Sequence, residues 1–414
     1  MSPWTPAHTA HCLVYPSVVF CPSGQPIKAS NMVKKVLEDA SYQVQLKNPS
    51  EVQTPEQIDL EIVALDNLML RIQNRRAEFC RARNQSALIS SCLPAELIAE
   101  IFLFALAMSP SQVPSSSVAT TLPLVLGQVC SAWRNLAWGL SELWDTFHCR
   151  ISKGRCPAQA RLLSEWLGRS HERPLSIRLS FLDDEFHWND LGAPIDIVNV
   201  LNRHRHRWLA LDLVLAPSWY EPLRMETTLD TLISLSLRPT ASAFSAQRMD
   251  MFLLAHQLRE ISLSHHYLRN VHLNWDNLIK ISFSTASVDE AVELIRRCNN
   301  LVTCILDELY PFEDEYALPL TPFSHRRIEV FHIGCRVNLD TEIFIILNCL
   351  ALPSLRNLSI MLPEQVGNPL QTIGELITRS ECPIQKLRIH GHTLLEQDMI
   401  DFLQSVKSLK SIEN

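Results

Sequence analysis

The feature that most limits the fold of this 414-residue chain is a six-residue unit with apolar side chains at its first, fourth and sixth positions. It occurs as Trp208/Leu211/Leu213, Leu232/Leu235/Leu237, Leu258/Ile261/Leu263, Leu268/Val271/Leu273, Leu278/Ile281/Phe283, Leu301/Cys304/Leu306, Ile328/Phe331/Ile333, Leu355/Leu358/Ile360, Ile384/Leu387/Ile389 and Leu409/Ile412. The starts are separated by 24, 26, 10, 10, 23, 27, 27, 29 and 25 residues. A strand that short has too little apolar surface to stand alone. Repeated at such periods, it implies units that stack on their neighbours and bury one continuous core. Stretches with helical spacing separate the units: Val288, Ala291, Val292, Leu294 and Ile295, then residues 340–349, 370–378 and 397–406. A strand followed by a helical crossover returns parallel to its predecessor, so the pattern predicts an α/β solenoid over residues 150–414. The two ten-residue steps are too short for that crossover. They imply either tight loops between adjacent strands or a unit around Leu268 that is not a true repeat. A layered α/β domain is the alternative architecture.

Upstream the period changes. In Leu93-Pro94-Ala95-Glu96-Leu97-Ile98-Ala99-Glu100-Ile101-Phe102 a proline takes the first helical position, where its missing N–H costs nothing, and Glu96 sits in the first turn, where the helix dipole favours a carboxylate. Leu97, Ile98, Ile101, Phe102 and Ala105 fall at helical spacing and predict one apolar side, with Glu96, Ala99 and Glu100 turned outward. Further on, Leu126, Val129, Cys130, Trp133, Leu136 and Ala137 predict a second amphipathic helix that stops at Gly139, with Cys130 on its buried face. Leu143-Trp144 closes the stretch. Two helices this short cannot cover their own apolar faces, so they pack on each other and present the remainder to a partner. The competing reading is that the leucines, Trp133 and Trp144 are the core of an ordinary helical domain.

This stretch resembles the F-box, the helical motif that attaches substrate receptors to the small adaptor of cullin–RING ubiquitin ligases. The matching positions are Leu93, Pro94, Glu96, Ile98, Ile101 and Phe102, then Val129, Cys130, Trp133 and Arg134, then Leu143 and Trp144. The variety it most resembles is abundant in mushroom-type fungi, where an N-terminal coiled helix runs into the F-box and divergent leucine-rich repeats follow. Two departures are Ser90-Ser91-Cys92, where relatives often carry basic residues, and a Ser/Pro-rich loop from Met108 to Ser117. The C-terminal half resembles the same proteins through Arg205-His206-Arg207-Trp208, Trp275-Asp276-Asn277-Leu278 and Arg297-Cys298-Asn299-Asn300-Leu301. It mostly lacks the asparagine that a standard repeat places after its strand.

The resemblance implies an α+β chain: an F-box-like helical module at 89–149, then a curved α/β leucine-rich-repeat-like solenoid at 150–414. It implies adaptor docking through Leu93, Pro94, Ile98, Ile101, Phe102, Val129, Cys130, Trp133, Leu143 and Trp144. The function implied is the substrate-recognition subunit of an SCF-type cullin–RING ubiquitin ligase, with adaptor, cullin and a target protein as partners. An interaction scaffold outside a ligase is the alternative.

Residues 1–54 read as a poorly ordered tail, in which the apolar run from Leu13 to Phe20 is interrupted by Pro16. Residues 55–88 read as a helical segment. Ile58, Leu65, Ile72 and Phe79 recur every seven residues with Leu68 between, but Glu61 and Arg75 occupy the other intermediate sites. That is a short, imperfect coiled coil, which either joins two chains or folds back on its own.

A net charge of −7 with 20% charged residues offers no positive field, so neither nucleic acid nor an anionic membrane is an expected partner. No apolar run reaches membrane-spanning length, and no secretory signal opens the chain, which favours a cytoplasmic or nuclear location. The twelve cysteines occur without a Cys-x-x-Cys pair and read as reduced, packed thiols. No phosphate-binding glycine loop and no nucleophile elbow occurs, so no enzyme activity and no cofactor are expected. The clusters His204-Arg205-His206-Arg207, His265-His266 and His390-Gly391-His392 lack partners at zinc-ligand spacing and read as solvated loops without metal. Asp183-Asp184-Glu185 and Glu313-Asp314-Glu315 read as solvated acidic loops able to attract a basic degron. The positions between the apolar ones of each unit are largely polar, among them Glu260, Ser262, Lys280 and His332. Such a face suits a peptide or protein better than an apolar small molecule. Arg356, Lys386 and Arg388 are its candidate target contacts.

Overall fold

The computed structural model describes residues 54–85, 93–108, 118–181, 193–216, 219–224, 228–239, 248–311, 313–335, 340–362, 368–391, 394, 396–406 and 408–413. The expectations for the tail, for most of the Ser/Pro-rich loop and for the acidic run at 183–185 fall outside these residues. The chain divides into two compact units, Met1–Ala87 and Leu88–Asn414. The first contributes one described element, helix α1 (Pro55–Gln85).

The second unit opens with three helices, α2 (Ala95–Ala107), α3 (Val118–Val129) and α4 (Ser131–Gly139), and a 3-10 turn at Ser141–Trp144. An eleven-stranded parallel sheet follows, in which every strand lies beside its predecessor in the chain. Its strands are β1 (Thr146–Ile151), β2 (Leu175–Phe181), β3 (Trp208–Leu215), β4 (Ser234–Pro239), β5 (Glu260–Ser264), β6 (Lys280–Ser284), β7 (Thr303–Asp307), β8 (Val330–Gly334), β9 (Asn357–Met361), β10 (Lys386–His390) and β11 (Ser411–Glu413). The crossovers carry α5 (Cys156–Arg169), α6 (Ile195–Arg203), α7 (Val288–Arg297), α8 (Asp340–Cys349), α9 (Pro369–Ser380) and α10 (Glu396–Ser405). This is the stacked α/β array the spacing predicts.

The fourth position of the unit forms one register row across all eleven strands: Phe147, Ile177, Leu211, Leu235, Ile261, Ile281, Cys304, Phe331, Leu358, Leu387 and Ile412. The sixth position forms a second row beside it, for example Leu263, Phe283, Leu306, Ile333 and Ile360. Intervening residues face away from the core, so burial alternates along strands such as β2, β5 and β6, as the two-residue period of a pleated strand requires.

The array begins earlier than the sequence pattern places it. Trp144/Phe147/Cys149 already has the one-four-six spacing and supplies β1, whereas the next repeat opens on Pro174, ahead of Ile177 and Leu179. The sheet therefore starts at Thr146, and the two repeats before Trp208 belong to it. The Leu268 unit is not a strand. Leu268–Asn270 is a 3-10 turn, Val271 bridges Met249, and β5 pairs directly with β6. Leu268, Val271 and Leu273 are nonetheless buried. With no room for a helix between β5 and β6, this turn covers the core instead.

Four of the units carry a polar donor one residue ahead of their first apolar position. The side chains of Thr231, Asn277, Asn300 and Ser354 donate to the backbone carbonyls of His206, His256, Asp276 and Arg326, each in the preceding repeat. The donors all sit immediately before a unit's first apolar residue, so they form a polar ladder parallel to the apolar rows.

Two buried arginines and one half-buried one tie the helical layer together. Arg207 donates to the carbonyls of Leu167 and Arg173 and to Ser170 Oγ, at the C-terminal end of α5. Arg205 donates to the carbonyls of Leu223 and Met251 and stacks over Trp208. Arg379 does the same for the end of α8, at Leu347 and Leu350. Arg207 and Arg379 lie where a helix leaves carbonyls unpaired and its dipole is negative. The solvated-loop expectation for 204–207 therefore fails: Arg205 and Arg207 are buried.

Candidate functional site

Two surfaces of the second unit are candidates, the three-helix module and the open face of the sheet. In the module, α2 starts one residue later than predicted: Pro94 is the N-cap with extended ψ, not the first helical residue, and its carbonyl accepts from the N–H groups of Leu97 and Ile98. The predicted second helix is broken at Cys130. There the chain is extended, and the thiol caps α4 by accepting from the Trp133 N–H at 3.4 Å. Cys130 is thus a capping residue between α3 and α4 and is not on a continuous apolar face. Arg134 closes the same junction, donating to the Gly127 carbonyl at 2.7 Å and lying over Trp138.

The predicted docking residues separate into two sets. Ile98, Phe102, Leu143 and Trp144 are buried. Phe102 meets Trp133 edge-on at 5.0 Å, and Trp144 packs against Trp166 of α5 while its indole N–H donates to the Ala137 carbonyl at 2.7 Å. This set forms the core and bolts the module to the first repeat. Leu93, Cys130 and Trp133 are half-buried, whereas Pro94, Ile101 and Val129 are exposed.

The single apolar side predicted for α2 is in fact two. Ile98 and Phe102 point inward. On the other side Leu97 and Ile101 are each 51% exposed, Phe104 66% and Met108 69%. These four follow one another at spacings of four, three and four, a straight outer stripe. Val125 and Val129 on α3 are exposed as well. Leu97, Phe104, Met108 and Val125 were not among the sequence candidates, although the stripe spacing was there to be read.

On the open face, charges on neighbouring strands pair with one another. Asp212 of β3 accepts from Arg178 of β2 at 3.0 Å and from Arg238 of β4 at 3.1 Å. Lys280 meets Glu260 at 3.6 Å, and His332 meets Asp307 at 2.8 Å. The three candidate target contacts are gathered on adjoining strands, since the Lys386 N–H donates to the Arg356 carbonyl. Two already hold acids: Arg356 pairs with Glu329 at 3.6 Å, and Arg388 with Glu413. The hydrogen bond from Arg388 holds the Glu413 carboxyl below its ordinary range. The middle of this face, on β4 to β6, is lined by Ser236, Ser262 and Ser282 in one register row.

Asp289 and Glu290, at the start of α7, bind loops on both sides. Ser287 and Glu290 form a capping box, and the second Glu290 oxygen accepts from the Leu268 N–H at 2.7 Å. Asp289 accepts from the backbone N–H groups of Glu313, Glu315 and Tyr316, which fixes the acidic run. Burial pushes the Glu290 carboxyl up to about 7. His266 is also buried, correcting the solvated reading, and burial depresses it to about 4. Its Nδ1 lies 2.7 Å from the Ser264 carbonyl, which only accepts, so the proton sits there and Nε2 accepts from the Tyr220 hydroxyl at 2.8 Å.

The raised Glu290 carboxyl has a pH signature. Folded protein holds this proton more tightly than the unfolded chain does, so the carboxyl's stabilising effect is complete below its ordinary value of 4.5 and is lost as the pH rises towards about 7. Glu290→Gln is expected to remove that loss, at most about 3 kcal/mol. Thermal melts at intervals across that range check it. Parent and variant curves that keep a constant offset would refute the assignment.

The described cysteines are thiols. Burial raises Cys149 to about 11 and Cys298 to about 12, so these thiols are not nucleophiles. Among the described residues no group of three or more His, Cys, Asp or Glu could hold a metal ion. No helix among them is long and apolar enough to cross a membrane.

No family model matches the chain, and no curated protein matches it. Among solved structures, the crystal structure of the Rad7 and Elc1 complex in yeast is similar over 83% of this chain and 95% of that chain, with 14% identity and a TM-score of 0.32. At that level the likeness carries no argument about function.

Proposed function

We propose that this chain is a non-enzymatic target receptor of a cullin–RING ubiquitin ligase. The helical module docks the ligase adaptor in the manner of an F-box, and the open face of the repeats holds a protein to be modified. Catalysis is then supplied by the ligase, to which the receptor adds proximity. The observation that carries this reading is the outer stripe of α2. A helix that is apolar on two sides and covered on one presents a surface for another protein. The stripe lies directly after the Leu93-Pro94 opening, among the positions that resemble the adaptor-binding motif.

Leu97→Asp combined with Ile101→Asp tests it. Both side chains are half-exposed, so the fold is expected to stand and the thermal melt to match the parent. Removing two central anchors typically costs about 2 kcal/mol or more, about 30-fold in affinity. Adaptor and cullin are expected to be lost from the purified tagged variant. If they co-purify with it undiminished, the docking assignment fails.

A further inference from the structure

Helix α1 carries a half-exposed apolar seam. Ile58, Ile62, Leu65, Met69 and Ile72 follow one another at alternating spacings of four and three, and Phe79 continues the series after Arg76. All six apolar side chains are between 43% and 54% exposed. A heptad line beside Ile58, Leu65, Ile72 and Phe79 runs through Ile62 and Met69 in place of Glu61 and Leu68, and Arg76 is its single charged position. Three heptads of this spacing are the seam of a two-helix coiled coil.

Charge supplies the occupant and its direction. From Glu56 to Asp66 the helix carries Glu56, Asp59, Glu61 and Asp66 and no basic residue. From Arg71 to Arg83 it carries five arginines against the single Glu78. Two copies side by side in parallel would set acid against acid and arginine against arginine. Turned end to end, each acidic half meets the other's basic half. With the two-fold axis near residue 67, Leu65 and Met69 of one copy meet the partner's Met69 and Leu65, Ile62 meets the partner's Ile72, and Glu61 faces the partner's Arg75. We propose that α1 pairs with α1 of a second copy of this chain as an antiparallel coiled coil. The pairing is isologous and closed, and it gives the assembly two helical modules and two sheet faces. It stands independently of the ligase reading.

The full-length chain in solution tests the pairing. Light scattering at micromolar concentration is expected to give twice the single-chain mass of 47.2 kDa. Leu65→Asp combined with Met69→Asp is expected to weaken association at least about 30-fold, leaving a single-chain mass and an unchanged melt of the repeats. A parent of single-chain mass, as when α1 is covered by its own chain, overturns the proposal, and so does a double variant that stays paired. Direction is read with Arg75→Lys and a zero-length carbodiimide, since α1 has no lysine of its own. Along one helix the substituted position lies nine or more residues, about 13 Å or more, from Asp66, Glu61 and Asp59. Amide links from the introduced amine to those acids therefore require a second, antiparallel helix. Links confined to Glu78 would overturn the antiparallel arrangement.

Discussion

Leu358→Asp is expected to unfold the C-terminal repeats. Leu358 lies on β9 between Phe331 and Leu387 in the fourth-position row and is 1% exposed. The variant loses the burial of a full leucine side chain and places an unpaired carboxylate in the row, a combined cost of at least about 4 kcal/mol. Because each repeat touches only its neighbours, the damage is expected to spread locally from β8 to β11 and leave the first repeats standing. Hydrogen exchange should show protection lost over residues 330–413 and kept over 146–215, with a broadened or split thermal transition. A variant that melts with the parent and keeps its protection would show that this row is not the core.

Arg207→Met is expected to destabilise the junction between the first and second crossovers by about 3 kcal/mol. Methionine keeps much of the stem volume but takes the donor from the Arg173 carbonyl and strips one of two donors from the Leu167 carbonyl, whose other is the Ser170 hydroxyl. One bare buried acceptor typically costs about 1–3 kcal/mol, and the lost charge-assisted bonds to Leu167 and Ser170 bring the total to about 3 kcal/mol. Arg207→Lys should fall between, since one ammonium cannot reproduce the planar fork that reaches three acceptors. Thermal melts of the two variants check the order. Equal stability of parent and Met variant would make the arginine a bystander.

The stripe on α2 shows how far the docking surface was readable. Leu97, Ile98, Ile101 and Phe102 were all visible as apolar positions, but two share a face with Phe104 and Met108 and two lie inside. Helical spacing tells which residues share a face. It does not tell which face a neighbouring helix will take. Trp144 makes the same point in reverse: it belongs to the matched docking positions by sequence, yet Trp166, twenty-two residues away, buries it.

By itself the sequence determined the order and period of the array. The strands that follow Leu232, Leu258, Leu278, Leu301, Ile328, Leu355 and Ile384, and the helices at 288–297, 340–349, 369–380 and 396–405, are written in apolar spacing, which is local and survives in a one-dimensional reading. Only the tertiary structure decided where the sheet begins, because Pro174 hides the second repeat's first position, and that the Leu268 unit is a turn, because its conformation follows from the space left between β5 and β6. It also decided that Arg205, Arg207, His266 and Glu290 are buried. Their partners lie 18 to 46 residues away along the chain for all but the capping and neighbouring contacts. A polar side chain's place depends on which distant carbonyls and N–H groups the folded backbone leaves unpaired beside it, and that is a property of the stack, not of any one segment.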